Sequence, residues 1–376
     1  MNENNEMLVS PIQPESPHGE LIRDTSVIIW DEAPMANRAV LACIYETCQR
    51  IMQNDAPFGG KILVLLGDFR QTCPVIRRGS RAQIVDASIK SSPLWSYFTV
   101  YRLHRHRRNA GDPLFAEFVD AIGDGAGPDI PLTMLNIVTN PEDIIQFVYA
   151  DNVLQNSACC LSRAILAPTN LQVDQYNDVI LQRVHGTQRT YLAADTLKEV
   201  DNAGLISPDS ALDYVARQTP PGLPSHTLTI KINGVYRLLR NFSLDRGLVK
   251  NVRVVVVDVG SRLVTVRLIR PSNSDSTASE DGEDILIPRI TFLHQLPSGH
   301  TLLRRQFPLA PAYATTFNSC QGLTLDFVGV DLTRPVFSHG QLYTALSRIR
   351  QHSDAIVRLH PGQTTTPNVT YKEILI

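Results

Sequence analysis

Two adjacent carboxylates, Asp31 and Glu32, end the apolar run of Val27-Ile28-Ile29-Trp30-Asp31-Glu32-Ala33-Pro34-Met35. Such a pair suits nucleotide hydrolysis, in which one carboxylate holds magnesium and the other orients or deprotonates water. A second apolar run, Ile62 to Leu66, ends in Gly67-Asp68-Phe69-Arg70-Gln71. The Gln71 amide could bond a γ-phosphate or an attacking water. A polar turn closing a strand accounts for the same residues. Farther on, Gln341, Thr344 and Arg348 fall on one helical face. A planar, permanently charged arginine beside such groups suits a phosphate at a domain interface. The plainer reading is a solvated helix face.

Two more stretches could touch polyanions. Between Arg102 and Arg108 every residue except Leu103 is Arg or His. One of these arginines could reach a nucleotide across a cleft, or the run could bind a phosphate backbone; a solvated surface would look the same. The segment Tyr313–Thr324 is rich in short hydroxyl and amide side chains, which suit phosphodiester contacts. A loop with a helix cap is its plain alternative. The net charge is only −2, so any polyanion must be held by local patches. None of the six cysteines forms C-x-x-C, which argues against zinc and redox pairs and for free thiols in a reducing compartment. No signal peptide or membrane-spanning run is visible, and the chain is expected to be soluble and intracellular.

These groups need elements to position them. Val27–Trp30 and Ile62–Leu66 read as strands buried on both faces, their ends at the carboxyl edge of a parallel sheet. Leu41, Ile44, Cys48 and Ile51 recur at helical spacing between them. Residues 1–22 read as an irregular surface segment. From residue 99 a second α/β unit is expected, with helices around Leu114–Ile122 and Leu171–Val184, a strand near Ala164–Ala167, a strand at Asp326–Leu332 and a helix from Gly340 to Arg350. Ser338 and Gln341 have capping-box spacing at its start. From residue 223 short β-rich segments suggest a small β-barrel or sandwich, with residues 271–284 as a polar loop. The expected organisation is α/β: a first unit over 1–98, a second over 99–222 plus 307–376, and an inserted β unit over 223–306.

The motifs DEAPM, GDFRQ, a basic run ending in Arg-Arg-Asn, FNSCQG-x-T and GQLYTALSR occur in this order. Together they resemble the Pif-one family of superfamily 1B DNA helicases, in particular the helicase part of Helitron-type transposons and their domesticated relatives. The resemblance spans residues 25–360. It implies two RecA-like domains with a small β-barrel inserted in the second. It also implies ATP hydrolysis with Mg²⁺, coupled to 5′-to-3′ movement on single-stranded DNA, in DNA repair, recombination and telomere maintenance. On this resemblance Asp31 holds Mg²⁺, Glu32 is the catalytic carboxylate and Gln71 senses the γ-phosphate. Arg108 and Arg348 close onto ATP from the second domain, with Gln341 at the nucleotide. Thr316, Asn318, Ser319, Gln321, Gly322 and Thr324 form the loop that links DNA contacts to the nucleotide state. A monomer and nuclear residence are implied by the family alone.

Two departures stand out. Ser319 occupies a position where many relatives carry Lys, which would weaken DNA binding. More seriously, no G-x-x-x-x-G-K-S/T phosphate cradle is present among the 376 residues. Phe58-Gly59-Gly60-Lys61-Ile62 precedes a strand rather than following one and reads as a turn, and Gly123-Asp124-Gly125-Ala126-Gly127 has no lysine. In the family the cradle lies upstream of DEAPM, so the first RecA-like domain is expected to be truncated here. Losing one preorganised donor can cost roughly 10²–10³ in kcat; losing the whole cradle predicts no ATPase or unwinding activity for these residues by themselves. An upstream helicase segment could supply the cradle. The alternatives are a nucleotide-independent single-stranded DNA-binding module and a non-functional transposon-derived fragment.

Overall fold

The computed structural model describes residues 8–76, 79–104, 107–198, 220, 222–270, 282–296 and 299–375. Arg105 and His106 of the basic run, and residues 271–281 of the expected polar loop, lie outside them.

The N-terminal part holds two parallel strands, β1 (Val27–Trp30) and β2 (Ile62–Leu65), paired from Val27↔Ile62 to Trp30↔Leu65. Helix α1 (Pro17–Asp24) precedes them in the segment expected to be irregular. Its signal was present in the sequence: Ser16 caps the Gly19 N–H, Pro17 sits in the first turn, and Glu20 and Arg23 match the helix dipole. Helices α2 (Arg38–Met52) and α3 (Arg81–Ala87) follow the two strands in turn. Ile28, Trp30, Leu63 and Leu65 pack with Leu41, Cys48 and Phe58 into one core. The opposite face does not match the expectation of strands buried on both sides. Val27, Ile29, Ile62 and Val64 are 40%, 66%, 60% and 38% exposed. The reason is topological: β1 and β2 pair only with each other among the described residues, and the core they join lies on one side.

The central sheet is fully parallel, in the order β16-β5-β17-β18-β4. Its strands are β4 (Asn136–Val138), β5 (Arg163–Ala167), β16 (Ala314–Thr316), β17 (Phe327–Asp331) and β18 (Ala355–Arg358). One face packs against α4 (Pro113–Gly123) and α8 (Gln341–Leu346). The other packs against α5 (Pro141–Val148) and α7 (Asn170–Arg183). Burial on both faces explains the near-continuous apolar strands. A short α6 (Asp151–Leu154), the pair β3 (Asp129–Pro131) with β19 (Thr365–Pro367), and a last turn α9 (Lys372–Leu375) complete this part.

Between α7 and β16 the described strands pair antiparallel. One sheet runs β12-β11-β10-β9-β15, from β9 (Val235–Leu238), β10 (Arg253–Val259), β11 (Leu263–Leu268), β12 (Asp284–Pro288) and β15 (Leu309–Pro311). A second joins β7 (Ala194–Lys198), β13 (Ile290–Gln295) and β14 (Thr301–Gln306), and a third joins β6 (Gln188–Leu192) to β8 (Thr227–Lys231). Strands β6 and β7 thus pair into the β-rich part although they precede residue 222. A buried ion pair fixes this junction: Arg304 Nη2 of β14 lies 2.8 Å from Asp195 Oδ2 of β7. His226 Nδ1 lies 2.9 Å from the same oxygen. Burial works against the Asp195 charge, but the hydrogen bonds from Arg304 and His226 prevail and hold its carboxyl below the usual range. No helix among the described residues is long and apolar enough to cross a membrane.

Candidate active site

The two carboxylates lie where β1 ends. Glu32 has φ +52°, an unusual left-handed conformation for a residue with a side chain, and its N–H donates to Asp31 Oδ1 at 2.9 Å. The Gly67 turn after β2 packs against the same corner. A Cβ on Gly67 would fall 2.2 Å from Pro34 Cδ, so only glycine permits the approach of GDFRQ to DEAPM. Asp31 is exposed and Glu32 half-buried.

Facing them is the end of α8. The helix spans Gln341–Leu346, shorter than the 340–350 expected, and its N-cap is Gly340 at φ +69° rather than Ser338. Half of the expected capping box forms: Gln341 Oε1 accepts the Ser338 N–H at 3.2 Å and also the Phe337 N–H at 3.0 Å. Its Nε2 donates to Asn318 Oδ1 at 3.2 Å. Gln341, placed at the nucleotide by the resemblance, is therefore engaged within the chain and ties the 316–324 loop to α8. Arg348 is only 3% exposed, so the solvated-face reading fails. Its Nε donates to Thr344 O at 3.1 Å and its Nη2 to Ser347 Oγ at 2.9 Å.

Arg108 comes to the same place from the basic run. Its Nη1 donates to Ser347 O at 2.6 Å and its Nη2 to Thr324 Oγ1 at 3.3 Å. Asn109, which sequence reasoning did not single out, donates to Ile349 O at 2.6 Å and Arg350 O at 3.1 Å. It thereby holds the chain just past Arg348; its only signal was its place at the end of the basic run. Burial and the like charge of Arg348 both lower the Arg108 pKa.

Gln71, Arg108 and Arg348 line one cleft of about 450 Å³, together with Asp68, Asn109 and Tyr343. Glu32 lies within its electrostatic field. Burial raises the Glu32 pKa, Arg348 and Arg108 oppose the shift, and Asp31 and Asp68 reinforce it. A half-buried carboxylate with a raised pKa facing two close guanidinium groups is an arrangement suited to proton handling beside a bound anion. Asp31 carries an exposed carboxylate, but no group of three or more His, Cys, Asp or Glu among the described residues could hold a metal by itself.

The 316–324 loop opens with a 3₁₀ turn, Phe317–Cys320, capped by Thr316, whose Oγ1 accepts the Ser319 N–H. Ser319, Gly322 and Thr324 are exposed, while Thr316, Asn318 and Gln321 are half-buried. The loop-and-cap reading holds for Thr316, yet the loop also touches the cleft: Gln321 Nε2 reaches Gln71 Oε1 at 3.4 Å. The glycine pair before Lys61 has a different job. Lys61 Nζ donates to Arg23 O and Thr25 O, both at 2.6 Å, at the C-terminal end of α1.

A family model described as PIF1-like helicase matches residues 1–129. The ATP-dependent DNA helicase PIF1 of Danio rerio is 27% identical over 331 residues, covering 86% of this chain and 44% of the relative. The Homo sapiens protein of the same name is 28% identical over 328 residues, with the same coverage. The chain thus spans less than half the length of these curated relatives. Among solved structures, the Pif1 helicase of Candida albicans superposes with a TM-score of 0.62 at 21% identity, covering 95% of this chain and 77% of that one. Bacteroides Pif1 bound to single-stranded DNA gives 0.63 at 19% identity, covering 98% and 78%. The mixed α/β architecture with parallel sheets is that of their RecA-like fold. By its motifs and these matches, the chain is similar to PIF1-like helicases over most of its length.

Proposed function

We propose that the cleft between β1–β2 and α8 is the nucleotide site of an ATP-dependent DNA helicase, and that these 376 residues supply every part of it except the phosphate cradle. The observation that carries this reading is the pair Arg108 and Arg348, partly or fully buried, close enough to repel each other, and facing Glu32 and Gln71. Two such cations lining one cleft favour an anion beside them, and a triphosphate supplies that charge. In this role Glu32 orients and deprotonates water, Gln71 bonds the γ-phosphate or that water, and the two arginines neutralise charge developing on the transferred phosphoryl group. Asp31, an exposed carboxylate beside the cleft, would hold Mg²⁺, and the metal would supply positive charge to offset that of the phosphates. Gln341 acts at one remove, by holding Asn318.

The single-stranded DNA surface is proposed at Thr316, Asn318, Ser319, Gln321, Gly322 and Thr324. Support comes from three exposed members and from the Gln321–Gln71 and Thr324–Arg108 contacts, which join that loop to the cleft. One solved relative is a Bacteroides Pif1 complex with ADP-AlF3 and single-stranded DNA, which is the ligand pair proposed for this chain. We divide the chain into a first RecA-like unit over 1–98, a second over 99–222 and 307–376, and a β-rich insert over 223–306 that also recruits β6, β7 and β15.

The exposed face of β1 and β2 supports the reading of an incomplete site. Parallel sheets are covered on both faces, and a strand–loop–helix unit carrying the glycine-lysine loop would cover this one. The test is ATP turnover by the 376-residue chain with single-stranded DNA, beside Glu32→Gln. No turnover above the variant is expected from the chain by itself, and Glu32-dependent turnover once a cradle-bearing segment is added. Turnover without that segment would refute the incomplete-site reading. No turnover in either state would refute the nucleotide reading.

A further inference from the structure

The turn Asp68–Gln71 is gripped residue by residue from the other side of the cleft. Tyr343 Oη of α8 donates to Asp68 Oδ2 at 2.6 Å. His339 Nε2 lies 2.8 Å from Phe69 O. Arg70 Nη1 donates to Asp120 Oδ1 of α4 at 2.8 Å, and its guanidinium sits 4.7 Å over the Tyr343 ring. Gln71 meets Gln321 at the longer 3.4 Å. A Cβ on Gly340 would lie 2.3 Å from Arg70 O, so the two backbones are in contact.

His339 is fully buried, and its two nitrogens are committed. Nδ1 accepts the Tyr371 N–H at 2.7 Å, which requires a lone pair there and puts the single proton on Nε2, donating to Phe69 O. One neutral imidazole thus joins the turn, the approach to α8 and the C-terminal segment. Tyr343 stands on the same short helix that leads to Arg348.

We propose that Tyr343 and His339 are positioning residues that lock the Asp68–Gln71 turn to α8 and so set the gap between Glu32 and Arg348. The consequence for catalysis rests on the nucleotide-site reading; the lock itself does not. Neither residue touches the reacting groups. The contacts at Asp68, Phe69 and Arg70 are short and act as the pin, and the long Gln71–Gln321 contact is the one free to change.

The native thiols allow a direct test. Cys159 is exposed and Cys43 partly so; Cys43 lies on α2, packed with β1 and β2 before the Asp68–Gln71 turn, and Cys159 lies just before β5 of the sheet that α8 packs on. The other four are buried, and burial raises every one of their pKa values, Cys48 among them, with Cys73 and Cys320 at about 12 and Cys160 at about 11. They will therefore label slowly. Spin labels on Cys43 and Cys159 report the distance distribution without nucleotide, so the lock can fail while the nucleotide reading stands, and the reverse. The unaltered chain should give one narrow distribution. Tyr343→Phe keeps the ring and loses one hydrogen bond to a carboxylate, which should shift the closed-to-open ratio by about tenfold. His339→Leu should broaden the distribution similarly, and His339→Asn, which restores a donor and an acceptor, should narrow it again. Unchanged distributions in Tyr343→Phe and His339→Leu would overturn the proposal, as would His339→Asn as broad as His339→Leu. If His339→Leu does not fold, Tyr343→Phe decides alone.

Discussion

Replacing Ile29 and Ile62 together by Thr tests whether the outer face of β1–β2 is open in this chain. Thr keeps the β-branched shape, so strand preference changes little. Ile29 is 66% and Ile62 60% exposed, so each buries little more than a third of its surface. Full burial of such a side chain contributes about 1.5–3 kcal/mol, and a third of that is about 0.5–1 kcal/mol per site. The double change should therefore cost about 1–2 kcal/mol in urea unfolding, with an unchanged m-value and a lower tendency to associate. Were the face covered, the full burial term would be lost at both sites, and each buried hydroxyl would add about 1–3 kcal/mol. The total would then exceed about 5 kcal/mol. A measured loss of that size in the 376-residue chain would refute the open face and, with it, the structural support for a missing covering unit.

Glu32→Gln should raise the melting temperature at pH 7. Burial, with Asp31 and Asp68, outweighs Arg348 and Arg108 and lifts the folded pKa above 4.5, so ionised Glu32 is a penalty that is full at neutral pH. It fades as pH falls through the folded value toward 4.5; a variant no more stable than the parent at pH 7 would contradict this. Gly67→Ala places a Cβ 2.2 Å from Pro34 Cδ at φ +152° and should cost about 2–4 kcal/mol in the same unfolding assay; a neutral result would mean that the two motif turns do not touch. Asp195→Ala leaves the fully buried Arg304 without its carboxylate and should cost about 3–5 kcal/mol, read most directly as faster amide exchange in β7 and β14. A loss under about 1 kcal/mol would show that the pair is not buried.

The sequence made the strands, the main helices and the cleft residues legible for identifiable reasons. Apolar runs such as Ile62–Leu65 and Phe327–Asp331 announce parallel strands by composition, and the carboxyl-edge rule then places Asp31, Glu32 and Gln71 together. Three features were illegible. The start of α8 depends on Gly340 adopting a left-handed conformation against Arg70 O, a contact between segments 270 positions apart. The pairing of β7 with β14 sets Asp195 opposite Arg304, a long-range pair that neither local pattern encodes. The exposure of Ile29 and Ile62 follows from which strands are present to pair, and an apolar run reads the same whether or not its second face is covered. Arg348 was ambiguous for a related reason: spacing fixes the face of a helix, and only packing decides whether that face meets water.

The uncovered sheet face and the close arginine pair are separate costs located at one edge of the fold. The first is apolar surface that water must hydrate; the second is like charge brought together in a partly dry cleft. A nucleotide-independent DNA-binding surface would use neither, because Thr316–Thr324 could contact a phosphate backbone without Arg108 beside Arg348. A strand–loop–helix unit resolves both at once. Its apolar side would cover Val27, Ile29, Ile62 and Val64, and its glycine-lysine loop would present a triphosphate to the two arginines. Under the proposed function, that one element would answer both features, whereas a nucleotide-independent binding surface accounts for neither.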